Sequence, residues 1–406
     1  MHKDNRFSGE EGSCMCKKSL ALLLAVLCLV SGALPVRAAE PLRPAPGRFA
    51  LPAFDVPCRS AVLIDQDSGT VLYEKQPDVP VPIASITKVM TLLLTFEALE
   101  QGRVTLEDRV PVSEHSYHMG GSQIWLEPGE QFTLDEMLRA ICVSSANDAA
   151  VAVAEFIGGS EPAFVEQMNA KAAALGLTDT HFVNACGLDA PGHLSTAREV
   201  AMLSREILTR YPEVTRYTTI WTDSLRGGAT HLINTNKLLR RYDGITGLKT
   251  GTTSGAGVCI TASARRDGLT LIAVVLGSPS GAERFQAARA LLDYGFANFE
   301  SVPVRLPDTA PALLPVHRGS AEKVELHYAL PEHLLLKKGE SDGLVVTTSL
   351  PGGMQAPVRR GQQAGTVTVY SGGQALGSWP VQAQQDVPRL DLRRAFNRLT
   401  KALLTP

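Results

Sequence analysis

Residues 83–96 read Ile83-Ala84-Ser85-Ile86-Thr87-Lys88-Val89-Met90-Thr91-Leu92-Leu93-Leu94-Thr95-Phe96. From Val89 onward the run is apolar nearly all round, which suits a helix buried in a core with Ser85 in its first turn. Ser85 and Lys88, three positions apart, then share one face of that helix. A serine hydroxyl is a poor nucleophile until a base takes its proton, and lysine serves as that base only where its surroundings keep it largely neutral. A buried helix supplies such surroundings. On a purely structural reading, serine is a favoured N-cap and lysine an ordinary surface residue. The S-x-x-K spacing also arises roughly once by chance in a chain this long. Its partners elsewhere in the sequence must decide.

Upstream, Ala61-Val62-Leu63-Ile64 and Thr70-Val71-Leu72-Tyr73 flank the turn-forming Asp65-Gln66-Asp67-Ser68-Gly69 and read as a β-hairpin. Downstream, the pattern is mostly helical to about residue 210, with helices near 133–143 and over 148–157, 162–175 and 197–209. Strand signals return at 245–251, 256–264 and 269–276, and a helix over 282–296 closes the unit. Strands at both sequence ends with helices between predict an α+β fold, in which the hairpin joins the later strands in one mostly antiparallel sheet beside an all-helical subdomain.

At 406 residues the chain has room for a large core and two or three domains, and a charged fraction of 20% with net charge −2 gives no sign of a nucleic-acid partner. Lys17-Lys18, the apolar run Leu20 to Val30 and the small-residue pattern Val36-Arg37-Ala38 read as an export signal over 1–38, with a retained membrane anchor as the alternative. Met15 is an alternative start. Residues 39–56 carry four prolines, Pro41, Pro44, Pro46 and Pro52, with Pro57 just beyond, and read as an extended linker to a main domain over 57–302. Beyond 303 the composition shifts to proline-bearing segments and short strand candidates at 323–328, 343–348, 366–370 and 374–380, as in a small β-sandwich over 303–386. The last segment, 387–406, sets Leu390, Phe396, Leu399, Leu403 and Leu404 among Arg389, Arg393, Arg394, Arg398 and Lys401. That is a basic amphipathic helix, read as an interfacial membrane anchor, with docking on the preceding domain as the other reading. Cys14, Cys16 and Cys28 fall in the export signal; Cys58, Cys142, Cys186 and Cys259 remain, and the apolar settings of Cys142 and Cys259 favour buried thiols over disulfides. No Cys/His cluster suggests a metal, and nothing implies a cofactor. His115 and His118 read as surface-loop residues.

Two further motifs follow Ser85. Ser145-Ala146-Asn147 lies at a helix boundary, and Lys249-Thr250-Gly251 lies on a predicted strand with Thr252-Thr253 after it. Each is weak alone. Together and in this order they resemble the serine penicillin-recognising enzymes, whose S-x-x-K, S-x-N and K-T-G elements wall one cleft. Glu127-Pro128-Gly129-Glu130, the run from Gly187-Leu188-Asp189 to Thr196-Ala197-Arg198, and Gly247-Leu248-Lys249-Thr250-Gly251 narrow the likeness to the low-molecular-mass penicillin-binding proteins that are D-alanyl-D-alanine carboxypeptidases. The resemblance covers residues 55–300 and, more loosely, the β-rich tail and amphipathic C-terminus. It implies a β-lactamase/transpeptidase-like fold, an enzyme outside the cytoplasmic membrane that trims peptidoglycan pentapeptide stems, and covalent inhibition by β-lactams.

Chemistry makes Ser85 the nucleophile and Lys88 the base. The resemblance assigns the oxyanion donors to the backbone N–H groups of Ser85 and Thr252. Ser145 is placed to relay a proton to the leaving amine, and Asn147 to bond Lys88 and the substrate amide. Lys249 puts positive charge near the substrate carboxylate and near Lys88, Thr250 offers that carboxylate a hydroxyl, and Gly251 and Thr252 are counted with them as substrate-binding residues. Arg284 resembles the arginine that completes carboxylate recognition, a surface helix arginine being its plain alternative. Asp189 and Arg198 read as structural. Class A β-lactamases carry their deacylating Glu in a Glu-Pro element after S-x-N, whereas Glu127-Pro128 here precedes Ser145, so inhibition by penicillin rather than its destruction is expected. The competing readings are endopeptidase or transpeptidase action through the same acyl-enzyme, and a non-catalytic wall-binding scaffold.

Overall fold

A computed structural model of the protein describes residues 49–391, Phe396 and Thr400. The export signal expected over 1–38 lies outside the described residues, as does 392–406 apart from the helical Phe396 and Thr400.

The chain opens with the hairpin β1 (Ser60–Asp65) and β2 (Val71–Lys75). A 3-10 turn, Ala84–Thr87, leads into α1 (Lys88–Glu100), followed by β3 (Arg109–Pro111), the short helix α2 (Glu114–Tyr117), β4 (Gln131–Thr133) and α3 (Leu134–Arg139). A π turn, Ala140–Ser144, precedes α4 (Asn147–Gly158), α5 (Glu161–Ala174), α6 (Ala197–Arg210) and α7 (Thr215–Thr218). A second small hairpin, β5 (Thr222–Leu225) and β6 (Thr230–Ile233), comes before β7 (Ile245–Thr253), β8 (Gly257–Arg266), β9 (Leu269–Ser278) and α8 (Gly281–Asn298).

Strands β2, β1, β9, β8 and β7 form, in that order, one antiparallel sheet, so the N-terminal hairpin does join the later strands. Its central strands are buried on both faces, and their side chains alternate between two cores as strand geometry requires. Val62, Ile64, Ile272 and Val274 face the core shared with α1 and the helical subdomain. Ala61, Leu63, Ala273 and Val275 face the core covered by Leu291 and Leu292 of α8. Side-chain caps start the helices where the sequence changes period: Thr133 and Glu136 form a capping box on α3, and Ser280 accepts from Glu283 N–H on α8.

Two expectations are corrected in this part. Residues 49–56 are not a free linker: Phe49 and Val56 are buried, and Phe49 packs edge-on to Phe299 at 4.9 Å between ring centroids. His115 and His118 lie on and just after α2 rather than in a loop, with Ser113 capping the helix and His115 Nε2 2.6 Å from Glu161 Oε2.

The tail comprises β10 (Phe299–Pro303), β11 (Leu313–His317), β12 (Lys323–Tyr328), β13 (His333–Lys337), β14 (Val345–Ser349), β15 (Met354–Gln355), β16 (Gln363–Ser371) and β17 (Gln374–Ala383). Its sandwich takes the form of a six-stranded sheet in the order β14-β16-β17-β12-β11-β15 plus a separate β10–β13 ribbon. Val324, Val367, Val381 and Val387 are among the residues of its own small core. Because β10 pairs with β13, this part begins before the expected boundary at 303. The start of the predicted terminal helix is also extended instead: Val387 bridges Val358, and Arg389 bridges Gly319. Cys58, Cys142, Cys186 and Cys259 are free thiols; Cys142 and Cys259 are buried, as their settings predicted, and so is Cys186, whereas Cys58 is only half-buried. No described helix is long and apolar enough to cross a membrane.

Candidate active site

Ser85 sits half-buried in the 3-10 turn, directly after Ala84, whose φ of +50° is uncommon for a residue with a Cβ. Two glycines make room for that turn. A Cβ on Gly187 would run into the Ala84 carbonyl, and one on Gly251 would lie 2.9 Å from the Ser85 backbone nitrogen. Lys88 begins α1 one turn later and is wholly buried. Its amine donates to Ser85 Oγ (2.9 Å), Asn147 Oδ1 (2.6 Å) and the Cys186 carbonyl (2.7 Å).

Asn147 opens α4 and is held from the other side: its Nδ2 donates to the Gly120 carbonyl at 2.6 Å, and its backbone N–H to the Ser122 carbonyl at 2.7 Å. Gly121 must lack a side chain here, since a Cβ would come within 2.7 Å of that Nδ2. Ser145 ends the π turn in the left-handed region (φ 60°, ψ 30°), which turns its hydroxyl toward β7. There it accepts from Lys249 Nζ at 2.8 Å, while the same amine donates to the Thr250 carbonyl at 2.9 Å. Thr250 Oγ1 lies 2.6 Å from Thr235 Oγ1, and the exposed Thr252 donates its hydroxyl to the Gly251 carbonyl at 2.8 Å. The structure thus brings Ser85, Lys88, Ser145, Asn147, Lys249, Thr250, Gly251 and Thr252 together. Arg284 reaches the same strand from α8, but its Nη1 is spent on the Gly251 (3.2 Å) and Cys259 (3.1 Å) carbonyls, with Thr252 Oγ1 at 3.4 Å. Its buried Nε has no partner.

The electrostatics follow from burial. Desolvation pushes the Lys88 amine down from its usual 10.5 to about 8, with Cys186 and the Asp148 carboxylate opposing. Lys249 is held well below the ordinary lysine range by burial first and by the charge of Lys88 second. The pair therefore resists carrying two charges, and both amines give up a proton more readily than an ordinary lysine. A neutral amine has two N–H bonds and one lone pair. With Asn147 Oδ1 and the Cys186 carbonyl taking both N–H groups of Lys88, its lone pair faces the Ser85 hydroxyl.

Several supporting residues carry no sequence signal of their own. Asp148, buried, accepts from the backbone N–H groups of Ile124, Leu126 and Ala149. Arg226 donates to the Ile124 and Trp125 carbonyls and pairs with Glu130, so the segment beside Asn147 is clamped from both sides. Trp125 is left 74% exposed on it. His193 lies 2.6 Å from Thr87 Oγ1 through Nε2, and its Nδ1 accepts from Val183 N–H. Only the Gly120-Gly121 pair and the position of Asp148 beside Asn147 were available as hints. The Cys186 carbonyl was not, because every residue has one. Asp189 ties its loop to Thr253 and Gly255, and Arg198 pairs with Asp78 and Glu74. Glu127 is exposed, and its N–H donates to Glu130 within a turn.

A serine beside a buried amine, walled by an S-x-N turn and a K-T-G strand on an α+β scaffold, defines a serine acyl-transfer enzyme of the penicillin-recognising class. A D-alanyl-D-alanine carboxypeptidase family model matches residues 48–280, and one for the C-terminal domain of penicillin-binding protein 5 matches 299–389. D-alanyl-D-alanine carboxypeptidase DacF of Bacillus subtilis is 41% identical over 351 residues, spanning 84% of this chain and 90% of the relative. Penicillin-binding protein 5 from Haemophilus influenzae superposes with a TM-score of 0.75 at 31% identity, covering 84% of this chain and all of that one. Penicillin-binding protein D2 from Listeria monocytogenes, in its cefotaxime-bound form, matches 60% of this chain and 99% of its own with a TM-score of 0.56 and 31% identity. The chain belongs to the D-alanyl-D-alanine carboxypeptidases of the penicillin-binding protein family and is a serine-type enzyme acting on the cell wall outside the cytoplasm.

Proposed function

We propose that Ser85 is the nucleophile and Lys88 its base, acting on the terminal D-Ala-D-Ala bond of peptidoglycan pentapeptide stems. The observation that carries this is the Lys88 amine 2.9 Å from Ser85 Oγ with its other two directions taken by carbonyl oxygens. The Ser85 proton passes to Lys88 as Oγ bonds the carbonyl carbon of the penultimate D-alanine. The backbone N–H groups of Ser85 and Thr252 stabilise the oxyanion. The C–N bond then breaks, and the leaving amine takes a proton through Ser145, whose hydroxyl is already bonded to Lys249. Water attacks the acyl-enzyme, returns the proton to Ser85 and frees the shortened peptide.

Lys249, Thr250 and Thr252 bind the substrate carboxylate, and Asn147 offers its second amide N–H to the substrate. Arg284 contributes its positive charge from behind β7 and fixes that strand through Gly251. β-Lactams acylate the same serine. Support for this comes from the cefotaxime-bound relative and from Glu127, whose place before Ser145 and outside the network keeps it from the deacylating role. In the proposed organisation an export signal over 1–38 is removed, the catalytic domain spans 57–302 and a β-rich domain 303–386, both with the edges noted above. The basic amphipathic stretch beyond the strand-paired Val387 and Arg389 holds the enzyme on the outer face of the cytoplasmic membrane.

Incubation with a synthetic pentapeptide tests the proposal. Free D-alanine and the tetrapeptide in equal amounts are expected, with neither product from Ser85→Ala. Cross-linked peptide as the main product, or full activity in Ser85→Ala, would contradict it.

A further inference from the structure

On the far side of β7 from Lys88, three cations converge on a cavity of about 240 Å³. Lys237 and Arg241 come from the short 3-10 segment Lys237–Arg240 and the residue after it, and Arg289 comes from α8. Leu238 and Phe285 give the cavity apolar lining, and Gln286 adds a neutral polar group. Lys237, Arg241 and Arg289 are all exposed.

No carboxylate lines this cavity, and among the described residues none pairs with these three side chains. The nearby Asp293 instead accepts from the Tyr242 hydroxyl at 2.7 Å. Arg289 is fixed in place, donating to the Arg241 carbonyl at 2.6 Å and lying 5.7 Å from the Tyr242 ring centroid. Uncompensated like charges around a concavity cost stability and attract anions. The net charge of the whole chain, −2, makes the concentration local rather than a general property.

Both walls of the cavity are anchored on the strand that carries Lys249, Thr250 and Gly251. Asn236 caps the Lys237 segment by accepting Leu238 N–H, and donates Nδ2 to the Gly247 carbonyl at 3.1 Å. Thr235, just before it, touches Thr250. On the other wall, Arg284 bonds Gly251, and Phe285 follows it into the cavity. The recess and the acylation site thus share β7 as a common support.

We propose that this recess binds an anionic group, carboxylate or phosphodiester, of the wall polymer that carries the stem peptide. It rests on the carboxypeptidase reading for the identity of that polymer. The recess adds affinity for polymeric wall material and none for a short soluble peptide.

The test compares the mature chain with its Lys237→Ala/Arg241→Ala double variant in co-sedimentation with purified sacculi and in hydrolysis of soluble pentapeptide. Both replaced side chains are exposed, so the fold stays intact. Expected are sacculus affinity weaker by about tenfold in the variant, a gap that closes as salt rises, and equal rates on soluble pentapeptide. Sacculi stripped of phosphodiester polymer, and sacculi with amidated carboxylates, identify the source by which treatment removes the difference. Equal sacculus affinity for both proteins, or a variant slowed on soluble pentapeptide, overturns the inference. A wild-type chain that releases no D-alanine from pentapeptide but shows the binding difference contradicts the assigned reaction and leaves the recess standing.

Discussion

At the scale of single residues the account rests on one amine. Lys88 must be neutral to accept a proton, and burial brings it to about 8, so acylation by penicillin should rise with pH and level off near that value. Lys88→Arg keeps a cation that cannot deprotonate, and stopped-time labelling should show acylation slower by about 10²–10⁴-fold. His193 gives a second pH signature, in stability. Burial lowers its pKa from 6.5 to about 4, so between those values the unfolded chain binds more protons than the folded one. Stability should be full above about 6.5 and fall as the pH drops toward 4, a slope that chemical denaturation should find flattened in His193→Gln. Ser85, Asn147 and Lys249 were legible because their side chains carry the chemistry in recognisable spacing. The carbonyl of Cys186 and the positive φ of Ala84 were not, because backbone groups leave no mark in a sequence.

Among elements, the fit between the Ser85 turn, β7 and the Gly187 loop positions the nucleophile. Gly187 has φ +89° and faces the Ala84 carbonyl directly, so Gly187→Ala cannot be accommodated by a rotamer change. Destabilisation on the order of 2–4 kcal/mol is expected in urea unfolding. Acylation should fall further than that loss of folded protein explains, because the Ser85 turn itself must move. Hydrophobic periodicity was enough to predict the long helices and the sheet that reunites residues from both sequence ends. It missed β3 and β4, whose three residues each are too few to show alternation. It also continued a helix into Val387–Arg389, where pairing with remote residues Val358 and Gly319 overrides local preference.

For the whole molecule, every residue of the acylation network lies before the β-rich tail. A chain ending at Asn298 should therefore be acylated by labelled penicillin at the full-length rate, with a melting temperature a few degrees lower because Phe299 and Leu335 leave the core beneath α8. The Listeria relative, matched over nearly its whole length by 60% of this chain, supports such a unit standing alone. Composition revealed the tail but not its edges, since β10 belongs to it only through pairing with β13. The central claim, that Ser85 is the residue acylated, is tested most directly by mass spectrometry of the intact protein after incubation with penicillin, followed by peptide mapping. A single stable adduct on Ser85, absent in Ser85→Ala, is the predicted result; an adduct on any other residue, or none on the folded protein, would contradict it.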